Sequence, residues 1–292
     1  MIIKEKNGEG FLDLRICDNL ELMAEIPSNT IDLIYCDILY GTGRKFADYQ
    51  DLKPIRSEIE NHYISRIKEM HRILNPTGSI YLQMDTKINH WIRCIMDDIF
   101  GYDNFRGEIV WGYNGRQKYN ALKFQGKHDV ILFYSKTEKH KLNDIKIEWE
   151  RESRLKVMRR KILIDDNGVE YFIDNRGVAS GTPKKKVILS EYLNKGGSLS
   201  DLWCDISMVL GTDNQKLNYD TQKPKALIER IIKASSNEGD LIADFYSGSF
   251  TTAEVCKDLK RNFIGCDINP NCFEKAKERG LFSFTDEPTK LD

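Results

Sequence analysis

Apolar positions recur along the chain with two alternating periods. LDLRICD (12–18) is a short apolar run ending in Asp18 and predicts a strand, while NLELMAEI (19–26) has helical spacing and is ended by Pro27. TIDLIYCD (30–37) predicts a buried strand, too short for a helix, with the turn marked by Tyr40-Gly41. From Ile55 the apolar residues are Ile55, Ile59, Tyr63, Ile67, Met70 and Leu74, the spacing of an amphipathic helix that Asn75-Pro76-Thr77-Gly78 stops. SIYLQM (79–84) predicts a buried strand, 86–99 a helix, and EIVWGY (108–113) and DVILFY (129–134) two strands. Nearer the C-terminus, KPKALIERIIKASS predicts a helix, DLIADFY a strand, TTAEVCKDLK a helix, NFIGCD a strand and 270–279 a last helix.

Strands alternating with helices imply a mostly parallel, Rossmann-like α/β sheet covered on both faces. Residues 140–203 break the rhythm, and 151–186 hold ten Lys/Arg against five Asp/Glu, an excess of five (10 − 5). This segment is expected to be an insert on one domain made of two halves, 1–139 and 204–292. The net charge of −1 over 292 residues leaves no global field for a polyanion, so such a site must be a local patch. Seven cysteines without a C-x-x-C pair and five scattered histidines predict no metal site and a reducing compartment. No long apolar segment suggests a leader or a membrane span, so a soluble cytoplasmic protein is expected.

Candidate chemistry sits at strand ends. ADFYSGSFTTAEV (243–255) reads as strand, small-residue turn and helix start, the geometry that turns backbone N–H groups toward a ligand. It matches neither G-x-G-x-x-G nor a Walker A loop. Asp267, ending NFIGCD, suits ribose hydroxyls, or equally caps the helix after Asn269-Pro270.

DFYSGSFTT resembles the cofactor motif of the S-adenosylmethionine-dependent DNA amino-methyltransferases, D-P-F-x-G-S-G-T-T or D-F-F-x-G-S-x-T-T. TQKPKALIERIIKASSNEGD (221–240) resembles the T-x-K-P segment before it, and CDILYGTG falls where the family carries D-P-P-Y-N-T-G. HRILNPTGSIYLQMD is similar to the helix, turn and strand that follow. The catalytic motif precedes the cofactor motif, the circularly permuted order of the β class. The resemblance covers nearly the whole chain outside 140–203. It implies a seven-stranded methyltransferase sheet with 140–203 as an inserted target-recognition segment. It also implies methyl transfer to adenine N6 of a flipped base in double-stranded DNA, cytosine N4 being the lesser choice because a Ser in place of Asp37 would have favoured cytosine.

By that resemblance, the Asp37 carboxylate and the Ile38 carbonyl accept the two amino hydrogens and Tyr40 stacks on the base. The exocyclic amine is a poor nucleophile because its lone pair is delocalised into the ring. Two fixed acceptors help it become pyramidal. S-adenosylmethionine would be held by Asp18, Asp37, Thr221, Lys223, Asp244, Phe245, Tyr246, Gly248, Ser249, Thr251, Asp267 and Ile268. Asp18 also suits a helix N-cap, and Lys223-Pro224 a helix start. Arg44, Lys45, Arg116, Lys118, Tyr119 and Lys123 combine positive charge and an aromatic ring as DNA contacts require. The family allows a homodimer, a second methyltransferase subunit or a restriction partner. Ile38 and Leu39 replace both prolines, and Phe250 replaces a glycine. These departures motivate a second reading, a degenerate DNA-binding subunit serving an active partner.

Overall fold

In the computed structural model of the protein, the residues described are 2–7, 10–45, 50–113, 122, 124–176, 181, 183–209, 213, 217 and 222–282. The chain forms two compact units, Met1–Asn143 with Asp201–Asp292, and Asp144–Ser200.

The first unit opens with β1 (Ile2–Asn7), β2 (Gly10–Ile16), α1 (Asn19–Glu25), β3 (Ile31–Asp37), α2 (Arg56–Ile73), β4 (Leu74–Met84), α3 (Asn89–Phe100), β5 (Phe105–Gly112) and β6 (His128–Ser135). The second unit holds β7 (Lys146–Ile147), α4 (Arg151–Met158), β8 (Leu163–Ile164), β9 (Glu170–Asp174), β10 (Lys185–Ile188), α5 (Leu189–Asn194) and β11 (Gly197–Ser198). The chain then returns to the first unit through β12 (Leu202–Trp203), α6 (Lys225–Ser235), β13 (Leu241–Asp244), α7 (Thr251–Asp258), β14 (Asn262–Asp267) and α8 (Cys272–Glu278).

Among the described residues, one sheet of nine strands, ordered β1-β2-β14-β13-β3-β4-β6-β5-β12, runs through the first unit. From β2 to β4 all neighbours are parallel. β6 lies antiparallel between β4 and β5. The expected count of seven is corrected to nine by β1, a charged edge strand hairpinned onto β2, and by β12, two residues along β5. Neither presents a readable period: β1, IIKEKN, runs from two apolar residues into three charged ones at an edge, and β12 is too short. Central strands are apolar in nearly every position because both faces are covered; Leu33, Ile34 and Cys36 of β3 are fully buried.

α2 forms because Ile59, Tyr63, Ile67, Met70 and Ile73 fall on one face and are buried there, each worth about 1.5–3 kcal/mol if fully transferred from water. It ends at Ile73, but Asn75-Pro76-Thr77-Gly78 belongs to β4 rather than to a free turn. A Cβ on Gly78 would lie 2.8 Å from Leu74 Cδ1 and 2.9 Å from the Asp32 carbonyl, so the strand start needs glycine. The second unit is not without structure, as its lack of period suggested. Its described residues carry a three-stranded sheet, a two-stranded sheet and two short helices. Its strands have two to five residues, fewer than a period needs to declare itself. No described helix is long and apolar enough to cross a membrane.

From β13 the chain passes through α7 to β14 on one side, and from β3 through α2 to β4 on the other. The connections therefore diverge between β13 and β3. In open α/β sheets this switch point leaves a crevice at the carboxyl ends of the strands, where ligands bind.

Candidate active site

Asp37 ends β3 and Asp244 ends β13, so two adjacent strands place carboxylates at that crevice. A cleft of about 360 Å³ opens there. On its wall lie Asp18, Asp37, Ile38, Tyr40, Lys223, Asp244, Phe245, Tyr246, Gly248, Ser249, Thr251, Asp267 and Ile268, which are all the described catalytic and cofactor candidates. Thr221, Arg116, Lys118, Tyr119 and Lys123 lie outside the described residues. Arg44 and Lys45 are exposed just beyond the Asp37 loop.

The loop after β3 is held at successive backbone groups. Ile38 N–H donates to the Gln83 carbonyl at 3.0 Å, continuing the β3–β4 ladder by one bond. Tyr63 Oη donates to the Leu39 carbonyl at 3.1 Å. Buried Asp51 receives Gly41 N–H at 3.1 Å, Thr42 N–H at 2.7 Å and the Thr42 hydroxyl. Gly41 has φ of 62°, and a Cβ there would stand 2.7 Å from Ile88 Cγ2. Among the described residues the Ile38 carbonyl receives no hydrogen bond. Asp51→Ala orphans two loop amides and is expected to lower stability by about 2–4 kcal/mol, since each unsatisfied buried donor costs about 1–3 kcal/mol. Urea unfolding measures this, and a midpoint equal to the parent's would show that Asp51 does not hold the loop.

Around Asp37 lies a chain of polar side chains. Lys223 Nζ is 2.6 Å from Asp37 Oδ2 and 5.0 Å from the Tyr40 ring centroid. Tyr40 Oη is 2.9 Å from Asp37 Oδ1 and 2.6 Å from Asp129 Oδ2. Gln83 Nε2 donates to the same Asp129 oxygen at 2.9 Å and receives Tyr35 Oη at 2.8 Å on its own amide oxygen. Burial pushes the Asp37 carboxyl above its usual range, with Lys223 pulling it back. Burial also holds the Tyr40 phenol well above its ordinary value, so the hydroxyl keeps its proton.

The glycine loop is tied to the strand ends. Gly248, at φ of 50°, donates its N–H to Asp267 Oδ2 at 2.8 Å, and Asn269 N–H donates to Asp267 Oδ1 at 2.9 Å. Asp244 receives Thr252 Oγ1 at 2.6 Å and Tyr246 N–H at 3.1 Å. Asp18 caps α1 through Leu20 N–H at 2.8 Å and also pairs with Arg66 Nη2 at 2.8 Å. Asn19 and Arg66 line the cleft, and each has a buried polar atom, Asn19 Oδ1 and Arg66 Nε, with no hydrogen-bond partner among the described residues. Unpartnered polar atoms of that kind beside a cleft suit a polar ligand.

The profile of the DNA methylase family of N6/N4 methyltransferases matches residues 31–278. The chain belongs to this family. The methylase is 30% identical over 266 residues to the Type II methyltransferase M.HpaI of Haemophilus parainfluenzae, covering 90% of this chain and 73% of that one. It is 28% identical over 268 residues to the DNA adenine methyltransferase YhdJ of Escherichia coli (strain K12), covering 90% and 80%. Its fold is similar to that of the PvuII DNA methyltransferase (cytosine-N4-specific), with a TM-score of 0.62 at 18% identity over 94% of this chain and 87% of that one.

Two departures of this methylase from the family pattern now have physical accounts. Ile38 is buried and its N–H makes a ladder bond that a proline could not make. Phe250, where the family motif has glycine, adopts a left-handed backbone, φ 54°, at a cost of about 1–3 kcal/mol. Its ring does not narrow the cleft. It is fully buried against Phe263 and Phe273, with centroids 6.3 and 6.1 Å away.

Burial pushes the Asp244 carboxyl up to about 7. An unfolded aspartate titrates near about 4. Between those values the folded methylase keeps a proton that the unfolded chain releases. The stabilisation is therefore complete below about pH 4 and lost as pH rises through 7. Asp244→Asn stays neutral, so its melting temperature relative to the parent should climb from pH 5 to pH 8. Parallel melting curves across that range would contradict the assignment.

Proposed function

We propose that this chain transfers a methyl group from S-adenosylmethionine to the N6 amino group of adenine in a short sequence of double-stranded DNA, with the target base flipped into the cleft. The observation that carries the proposal is the pair of acceptors at the end of β3: the Asp37 carboxylate, beside an Ile38 carbonyl that no other described group uses.

The cofactor fits the residues present. Asp267 and Asp18, at neighbouring strand ends, offer acceptors for ribose and adenine. Exposed Ile268 offers an apolar face, and the buried, unpartnered atoms of Asn19 and Arg66 beside the cleft leave polar capacity for a ligand. When bound, S-adenosylmethionine supplies an electrophilic methyl carbon. Asp37 and Ile38 orient the amino group so that its lone pair points at that carbon, and Tyr40 stacks on the base. Flipping the base costs roughly a few kcal/mol, met by stacking and by the two hydrogen bonds.

Double-stranded DNA is the partner this reading requires. Arg44 and Lys45 reach phosphates beside the flipped base. In the insert, Arg154 lies 3.8 Å above the Trp149 ring, a cation and aromatic pair of the kind that DNA-contacting surfaces use. The hydrogen-bonded loop favours an active enzyme over a degenerate subunit. Tritiated methyl transfer to mixed-sequence duplex DNA, followed by nuclease digestion, tests the proposal. The expected product is N6-methyladenine. N4-methylcytosine would correct the base, and no transfer with measurable DNA binding would return the reading to a degenerate subunit.

A further inference from the structure

Asp129 is the second residue of the buried strand β6 and is itself 4% exposed. The residues that follow it, Val130 to Tyr134, are buried and, but for the Tyr134 hydroxyl, apolar. A carboxylate in such a place is costly unless donors surround it. Three do: Tyr40 Oη at 2.6 Å and Gln83 Nε2 at 2.9 Å on Oδ2, and Tyr113 Oη at 3.0 Å on Oδ1.

Tyr40 Oη stands within hydrogen-bond distance of both Asp129 and Asp37, yet a phenol has one proton and donates once. The shorter contact is to Asp129. With the proton there, Asp37 Oδ1 meets only the lone pairs of the phenol and is short of a donor. With the proton turned to Asp37, that acceptor is already taken. We propose that Asp129 is a positioning residue for methyl transfer, holding the Tyr40 proton so that Asp37 Oδ1 stays open to a hydrogen of the target amino group. This rests on the reading of Asp37 as the amino-group acceptor. As the amino nitrogen gains the methyl, the sulfur–carbon bond of the donor breaks with its electron pair going to sulfur. The surplus proton of the nitrogen goes to Asp37 Oδ1, which can then donate to the Tyr40 oxygen. Among the described residues, Lys223 on Oδ2 and Tyr40 on Oδ1 are the side chains within hydrogen-bond distance of Asp37, on which the Asp129 charge also acts, and Tyr40, Gln83 and Tyr113 are those within hydrogen-bond distance of Asp129.

A double-mutant cycle on the full chain tests the proposal, with kcat and KM from tritiated transfer and S-adenosylmethionine binding by calorimetry. Asp129→Asn should lower kcat by about 10- to 100-fold, the worth of one hydrogen bond to a charged group, with cofactor binding unchanged. In a Tyr40→Phe background there is no phenol proton to misdirect, and Asp129→Asn should then change kcat by less than about twofold. Equal losses in both backgrounds would overturn the proposal, because a merely structural Asp129 is needed with or without the hydroxyl. If the Asn variant does not fold, Asp129→Ser enters the same cycle under the same criterion. An inactive parent chain would instead remove the methyl-transfer reading itself, a separate outcome visible before any variant is made.

Discussion

Asp37→Ala is expected to abolish methyl transfer, with a loss of at least about 10³-fold in kcat, the upper range for removing one preorganised electrostatic contact in a reaction centre. On the proposed reading the carboxylate is one of the two groups that accept the amino hydrogens, and the Ile38 carbonyl alone cannot fix the orientation of an amino group. Cofactor binding should survive, since the glycine loop is tied to Asp267 and Asp244 rather than to Asp37. The substitution also strands the Lys223 ammonium, whose side chain is 12% exposed, so a melting curve must accompany the assay. Asp37→Asn is the control for shape. It keeps one acceptor oxygen and should retain more activity than alanine. Parent-level activity in Asp37→Ala would show that the acceptor lies elsewhere.

The order of elements was legible because central parallel strands are buried on both faces and read as short apolar runs between amphipathic helices. TIDLIYCD and NFIGCD are of this kind, and α2 shows its buried face at every turn. What escaped was structure with no such signal. β1 is an edge strand with charges facing solvent, β12 has two residues, and the strands of the insert are too short to show a period.

At the cleft, the residues at the ends of parallel strands were legible, because chain direction alone places Asp18, Asp37, Asp244 and Asp267 at one edge. Asp129 was not. It stands at the start of its strand, and a start reaches the same edge as those ends only because β6 runs antiparallel to β4. Its one signal in the sequence is an acid opening a strongly apolar run. Asp51 sits in a stretch without period, and its partnership with Gly41 and Thr42 exists only once the loop has turned back. Lys223 is expected among the residues that hold the cofactor, and the structure places its ammonium against Asp37. No spacing rule connects two residues so far apart in the chain.

Lys223→Met is expected to move the acid limb of the kcat–pH profile to higher pH. On the proposed reading the ionised Asp37 carboxylate is the form that leaves Oδ1 free both to accept an amino hydrogen and to take the surplus proton. Burial already raises its pKa, and the Lys223 charge is the largest influence holding it down. Without the ammonium the carboxyl binds its proton more tightly, so at a given pH below the new midpoint fewer molecules carry an open acceptor. Activity there falls about tenfold for each unit of displacement, and part of it returns as pH rises and Asp37 ionises. Lys223→Arg restores the charge and should bring the limb back toward the parent, with a lower plateau because a planar guanidinium cannot match the 2.6 Å contact of the ammonium. The alternative, in which Lys223 serves the methionine end of the cofactor, gives a different pattern: KM for S-adenosylmethionine rises while the profile stays where it was. Rates at fixed saturating DNA across pH 5.5 to 9 separate the two, and an unmoved limb in Lys223→Met would sink the assignment of Lys223 to Asp37.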